Sequence, residues 1–144
     1  MAEEYELYKV GRWMSRNLST VEATATVIEA MHLMKDRKVR RLPVMHGGAI
    51  AGVITEKMIK DYEPSKATSL DTWELHYLLS NTEVSKVMNP DPARVTANTD
   101  LVDAAKLLHD DKLNGVLVVD EAGELVGIFT TTNALEALIV MARH

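Results

Sequence analysis

Four cations, Arg37, Lys38, Arg40 and Arg41, stand within five positions of a 144-residue chain. Residue types alone support two readings of that cluster. Cations at the C-terminal end of a helix complement the negative pole of its dipole, or a basic patch meets a nucleic acid. The whole chain carries 16 Lys+Arg against 21 Asp+Glu, a net charge of -5, which argues against a nucleic-acid partner. Catalytic constellations are missing from the sequence. The five histidines (His32, His46, His76, His109 and His144) have neither metal-ligand spacing nor a His-Glu-x-x-His pattern. His46-Gly47-Gly48 has the composition of an oxyanion loop, but no Gly-x-Ser-x-Gly elbow accompanies it, and a hairpin turn accounts for it. There is no Walker loop, no Gly-x-Gly-x-x-Gly and no cysteine, which excludes disulfides, thiolate zinc sites, iron–sulfur clusters and thiol catalysis. Asp110-Asp111 reads as a solvated helix end. No enzyme activity and no metal site are expected.

The elements that position these residues follow from an internal duplication. Met14 and Met88 begin a register at an offset of 74 in which Val21 meets Val95, Ala30 meets Ala104, Lys38 meets Lys112 and Val44 meets Val118. After a one-residue slip the offset is 75, and Gly48 meets Gly123, Gly52 meets Gly127 and Thr55 meets Thr130. Each copy reads as a short extended segment (Ser19–Val21; Ala93–Thr96), then a helix over about 26–38 and 100–112 with apolar residues at i, i+3, i+4 and i+7. Thr24 and Asn98 are the expected helix caps. Two apolar strands joined by a glycine turn come next, Leu42–Met45 with Ala49–Ile54 and Val116–Val119 with Glu124–Phe129. A second helix starts near Glu56 and near Thr131, so Thr55 and Thr130 are each placed to cap it.

A composition of 47% hydrophobic and 26% charged residues is that of a globular chain. No apolar run approaches the ~20 residues of a membrane span, and the acidic start, Met1 to Glu6, lacks a signal-peptide profile. A cytoplasmic protein without membrane contact is expected. The fold class is α/β (α+β), two β-α-β-β-α repeats packed in pseudo-twofold symmetry: repeat 1 over 8–62, a helical insertion over 63–82, repeat 2 over 83–140. In the insertion, Ser69 or Asp71 is placed to cap a short helix presenting Trp73, Tyr77 and Leu78 for packing or an oligomer contact.

Met14, Ala30, Leu42-Pro43-Val44, Gly48 and Gly52-Val53-Ile54-Thr55 resemble a cystathionine-β-synthase-type (CBS) domain, and so do Met88, Ala104, Val116-Leu117-Val118, Gly123 and Gly127-Ile128-Phe129-Thr130. The insertion from Pro64 to Leu79 is similar to that of the acetoin-utilisation (AcuB-like) subgroup. The resemblance implies a non-catalytic regulatory module that binds AMP, ADP, ATP, S-adenosylmethionine or a relative between its repeats, forms a homodimer and signals to an unidentified regulated protein. Carried over residue by residue, it implies a first cleft of Arg40, Arg41, Val53 and Thr55 with Thr99, Ala104, Leu113 and Asn114. The second has Ile128, Thr130, Asn133, Asn114 and Gly115 with Ala25, Ala30, Val39 and Arg40. The ribose-binding Asp of the family pattern is Met58 in copy one and Asn133 in copy two; a thioether is a weak acceptor and an amide keeps one good acceptor. Arg40 and Arg41 are then phosphate ligands, while Arg37 and Lys38 complement the helix dipole. The competing function is a dimerisation scaffold that binds no ligand. Leu135, Leu138, Ile139 and Met141 form the apolar face expected to need a second copy.

Overall fold

Thr26 starts α2 (Val27–Arg37) with a capping box: its hydroxyl accepts from the Glu29 N–H at 3.2 Å, and the Glu29 carboxylate accepts from the Thr26 N–H at 3.4 Å. Thr24 is therefore not the cap. Residues 23–25 are still held in the sheet and a turn, Ala23 donating to the Met45 carbonyl of the paired strand and Ala25 to that of Glu22, so the helix begins only at residue 27. In the second copy the cap position is Asp100, not Asn98, ahead of α5 (Leu101–Asp110), because a Thr96–Thr99 turn comes first. The Asp100 carboxylate makes no capping bond and takes the Lys9 ammonium at 2.6 Å.

The computed structural model describes residues 6–67 and 72–143. Ser69 and Asp71, the expected insertion caps, lie outside the described residues, as does His144. Each copy forms a three-stranded sheet. In the first, β1 (Val21–Glu22) runs parallel to β2 (Arg41–His46), which pairs antiparallel with β3 (Ala49–Thr55). In the second, β4 (Arg94–Thr96), β5 (Gly115–Val119) and β6 (Leu125–Thr130) repeat the order. Gly47 and Gly48 turn the first hairpin with φ of 59° and 82°, a backbone for which glycine carries no Cβ penalty. Helices α3 (Glu56–Ala67) and α6 (Thr131–Ala142) close the copies, and α4 (Thr72–Ser80) follows α3. These elements realise the two β-α-β-β-α repeats read from the sequence.

Strand alternation sets the two cores. Leu42, Val44 and Ile54 point to the helix-covered face and pack with Val27, Ala30 and Met34 of α2, Ile59 of α3 and Leu79 of α4. Val116, Val118 and Phe129 do the same with Leu101, Ala104 and Leu108 of α5 and Ala137 of α6. Fully burying each of the Val, Leu, Ile, Met and Phe side chains among them stabilises by roughly 1.5–3 kcal/mol.

The two compact units are not the two sequence copies. One comprises Ser19–Pro92, the other the N-terminal segment through Leu18 together with Ala93 onward. The segment that leads each copy therefore docks on the other copy, and does so identically. In the second unit, Val10, the first residue of α1 (Val10–Trp13), donates to the Thr99 carbonyl, Gly11 to Ala97, and Leu101 to Tyr8. In the first unit, Val84 donates to Ala25, Ser85 to Ala23, and Val27 to Thr82. The docked segments then extend the sheet edges, Asn89 bridging Val53 and Ser15 bridging Ile128. Gly52 and Gly127 admit them: a Cβ on Gly52 would stand 2.4 Å from the Asn89 carbonyl oxygen, and one on Gly127 would stand 2.7 Å from the Met14 sulfur.

Candidate functional site

Cross-strand register brings the candidate residues of the first unit to one end of the hairpin. Arg41 is paired directly with Thr55, and Pro43 with Val53. Directly paired residues share a face, and here it is the face opposite the one that α2 covers. Arg40 adjoins them, its carbonyl accepting from the Glu56 N–H at 2.9 Å at the start of α3. Thr55 accepts from the Met58 N–H at 3.1 Å and so caps that helix as expected. Met58, at the third helical position, returns no bond.

Arg41 is half-buried, and among the described residues no hydrogen bond or carboxylate engages its guanidinium. Burial pushes Arg41 below the usual arginine range, and the like charge of Arg40 adds to the effect. The lysines nearby are provided for: Lys57 meets Asp61 at 2.8 Å and Lys60 reaches Glu56 at 3.8 Å. A partly desolvated cation beside a second cation and a threonine hydroxyl is a place for an anion.

The second unit builds the same corner with different side chains. Gly115 stands opposite Thr130, and Leu117 opposite Ile128, both of the latter pair buried. Asn114 is exposed, and its carbonyl accepts from the Thr131 N–H at 3.1 Å. Thr130 and Asn133 form a full capping box: the Thr130 hydroxyl accepts from the Asn133 N–H at 3.2 Å, and the Asn133 amide oxygen accepts from the Thr130 N–H at 2.9 Å. The Asn133 amide nitrogen donates to Ser15 Oγ and to Glu136, each at 3.3 Å. Asn133 is thus buried with both ends of its amide engaged. Thr99 lies in the turn before α5, where its hydroxyl accepts from the Thr96 N–H at 3.0 Å. Lys9 closes the same turn, and its bond to Asp100 holds the ammonium above the usual lysine range.

Arg40, Arg41, Val53 and Thr55 are together in the first unit; Asn114, Ile128, Thr130 and Asn133 are together in the second, with Thr99 at the opposite side of β5 on the β4–α5 turn. Sequence reasoning missed Asn89 and Ser15, which pair with Val53 and Ile128. The clue was available in Gly52 and Gly127, glycines inside strands, which mark close backbone approach. Among the described residues no group of His, Asp and Glu could hold a metal ion, and no helix is long and apolar enough to cross a membrane.

Comparison with known proteins places this geometry. The chloroplastic CBS domain-containing protein CBSX2 of Arabidopsis thaliana is 31% identical over 157 residues, covering 95% of this chain and 66% of its own length, so the chain spans just under two thirds of that relative. The crystal structure of CBSX2 in complex with AMP superposes with a TM-score of 0.80 at 31% identity, over 94% of this chain and 99% of the other. The cytosolic domain of the Mg2+ channel MgtE in complex with ATP gives 0.73 at 25% identity, over 94% and 50%. An acetoin utilization protein (AcuB) from Vibrio cholerae gives 0.76 over 94% and 93%, its 24% identity carrying the fold alone. A model of the CBS domain family matches residues 10–64 and again 84–140, the two stretches that each hold one glycine-turn hairpin between its helices, so the chain belongs to the CBS domain family as a tandem pair.

Proposed function

We propose that this CBS pair is a regulatory module that binds an adenosine-containing ligand of the AMP, ADP, ATP or S-adenosylmethionine class and signals to a partner protein rather than catalysing a reaction. The observation that carries the reading is Arg41, a half-buried guanidinium with no counter-charge among the described residues, set opposite Thr55. In the first unit, Arg40, Arg41 and Thr55 take the phosphate and Val53 lies beside them. In the second unit, Thr99, Asn114, Ile128, Thr130 and Asn133 are the corresponding candidates, with the Asn133 amide already engaged in its cap. The similar CBSX2 and MgtE structures, which hold AMP and ATP, support a nucleotide. The insertion carrying α4 supports a place near the AcuB-like subgroup. Titration calorimetry with AMP and with adenosine tests the assignment. Arg41→Ala should weaken AMP by about tenfold or more, since a charge-assisted contact is worth roughly 1.5–3 kcal/mol, and leave adenosine nearly unchanged. Equal losses for both would remove Arg41 from the phosphate.

A scaffold that binds no ligand is favoured by one observation, the closed Thr130–Asn133 cap in the second unit together with Met58 in the first. A thermal-shift series with AMP, ATP and S-adenosylmethionine separates the two, because binding to the folded state raises its melting temperature. In either case we propose a homodimer. Leu135, Leu138, Ile139 and Val140 are 52%, 59%, 53% and 44% exposed along α6, an apolar strip for a second copy, while Met141 packs inward against the second core. Light scattering should give twice the 16.0 kDa chain mass.

A further inference from the structure

The helical faces of the two units are unlike. Between α2 and the start of α3, within the first unit, lies a hollow of about 450 Å³ with an apolar floor of Met31, Met34, Val39 and Ile59. Its rim carries Lys35, Lys60 and Glu56. Glu56 reaches Lys60 at 3.8 Å, while Lys35 is exposed and pairs with no carboxylate among the described residues. The rim therefore keeps one positive charge in excess. In the second unit the corresponding helix, α6, presents a ridge instead. At the offset of 75 that relates the copies, Leu135 answers to Lys60, Leu138 to Glu63 and Ile139 to Pro64. All three aliphatic side chains are exposed, and Glu136 beside them is the only charged residue of α6. One unit has an apolar hollow with a cationic rim, the other an apolar ridge with a single carboxylate.

We propose that two copies of the chain pair unlike faces: Leu135, Leu138 and Ile139 of one copy seat in the α2–α3 hollow of the other, with Glu136 toward Lys35. This pairing rests on the homodimer proposed above and names the face that receives the strip. A cavity of about 150 Å³ holds one benzene-sized group, so this hollow has room for about three aliphatic side chains. Met31 and Met34 give its floor unbranched side chains that repack around a ridge. Each aliphatic side chain taken from water favours the pair, and opposite charges at the rim fix its register. Like faces paired across a twofold axis would bury the two ridges on each other and leave each hollow only a second hollow to face. Residues near that axis would also meet their own copies, Lys60 with Lys60 and Glu136 with Glu136. Unlike faces exchanged by a twofold axis make the favourable contact twice.

The chain has no cysteine, so introduced thiols are the only ones that can cross-link. Lys60→Cys and Leu138→Cys chains, refolded together and treated with oxidised glutathione, should form a disulfide between residues 60 and 138. Either variant alone should form little. A Leu138→Cys chain that cross-links to itself as readily as to the Lys60→Cys chain would overturn the proposal. Charge exchange is the second measurement, because Lys35 and Glu136 are both exposed and their replacement spares the cores. In sedimentation, Lys35→Glu and Glu136→Lys should each weaken the dimer by about tenfold, the contact being made twice. The double variant should recover most of that loss. A double variant that dimerises more weakly than either single one would also overturn the pairing. A wild-type chain of 16.0 kDa in light scattering would remove the homodimer itself, and the pairing with it.

Discussion

The two hairpin ends, Arg41 with Thr55 and Gly115 with Thr130, have the same backbone and opposite chemistry. Both threonines cap the following helix, and both third helical positions accept the same geometry. In the first unit that position is Met58, which returns nothing to the cap, and the strand opposite carries a cation under partial desolvation. In the second unit it is Asn133, which closes the capping box and ties α6 to the docked segment through Ser15, and the strand opposite carries no side chain. One copy of the duplication stores its polar groups in internal bonds; the other leaves a charge unmet. An unmet charge under partial desolvation costs the fold stability that a ligand of opposite charge would restore. The comparison therefore supports the phosphate contact proposed for the first unit, while the second unit invests its polar groups in the fold.

The largest effect expected concerns the docked segments. Gly52→Ala would force a methyl onto the Asn89 carbonyl, a backbone atom that cannot rotate away, and should cost about 3 kcal/mol. Gly127→Ala chiefly meets the flexible Met14 sulfur and should cost about 1 kcal/mol. Urea unfolding of both variants measures the difference, and equal losses would show that the two docked segments are held alike. Next comes the cap. Asn133→Ala removes the reciprocal bond and leaves Ser15 without its partner, for a loss of about 2 kcal/mol by the same measurement. Met58→Asn should install the missing half of the box on Thr55 and add about 0.5–1 kcal/mol. A Met58→Asn variant no more stable than wild type would mean that the two helix starts differ in more than that side chain.

The smallest effect sharpens the likeness of the copies. Lys38 and Lys112 both end their helices in the left-handed region, at φ of 57° and 55°. Glycine there avoids the Cβ penalty while losing more freedom on folding, so Lys38→Gly and Lys112→Gly should each gain about 0.5 kcal/mol. A smaller gain at residue 38 would measure what its charge contributes at the end of α2.

Much of the fold was legible because local rules and global packing agree in it. The apolar spacing of Val27, Ala30 and Met34, the runs at Leu42–Val44 and Val116–Val118, and the glycine turns each dictate an element without reference to distant residues. The duplication then dictates that whatever one copy forms, the other forms too. The helices begin within a residue of where the sequence puts them, but the caps lie two residues later than Thr24 and Asn98, since hydrogen bonds from Ala23 to Met45 and between Thr99 and Thr96 hold the chain in a turn before each helix, and such partners are invisible to local propensity.

Arg40, Arg41, Thr55 and Asn133 were legible as polar residues at junctions, where strand ends meet helix starts. Their state was not. That Arg41 is half-buried with no counter-charge among the described residues, while Asn133 is bonded at both ends of its amide, depends on register and on a residue 118 positions away, Ser15. Alone, the sequence determined a tandem β-α-β-β-α chain with its cations gathered in the first copy, because periodicity and composition are local properties. Only the tertiary structure decided that each leading segment docks on the other copy, and hence which repeat's cap is closed. That outcome depends on which backbone fits over Gly52 and Gly127, a matter of complementary surfaces rather than of residue type.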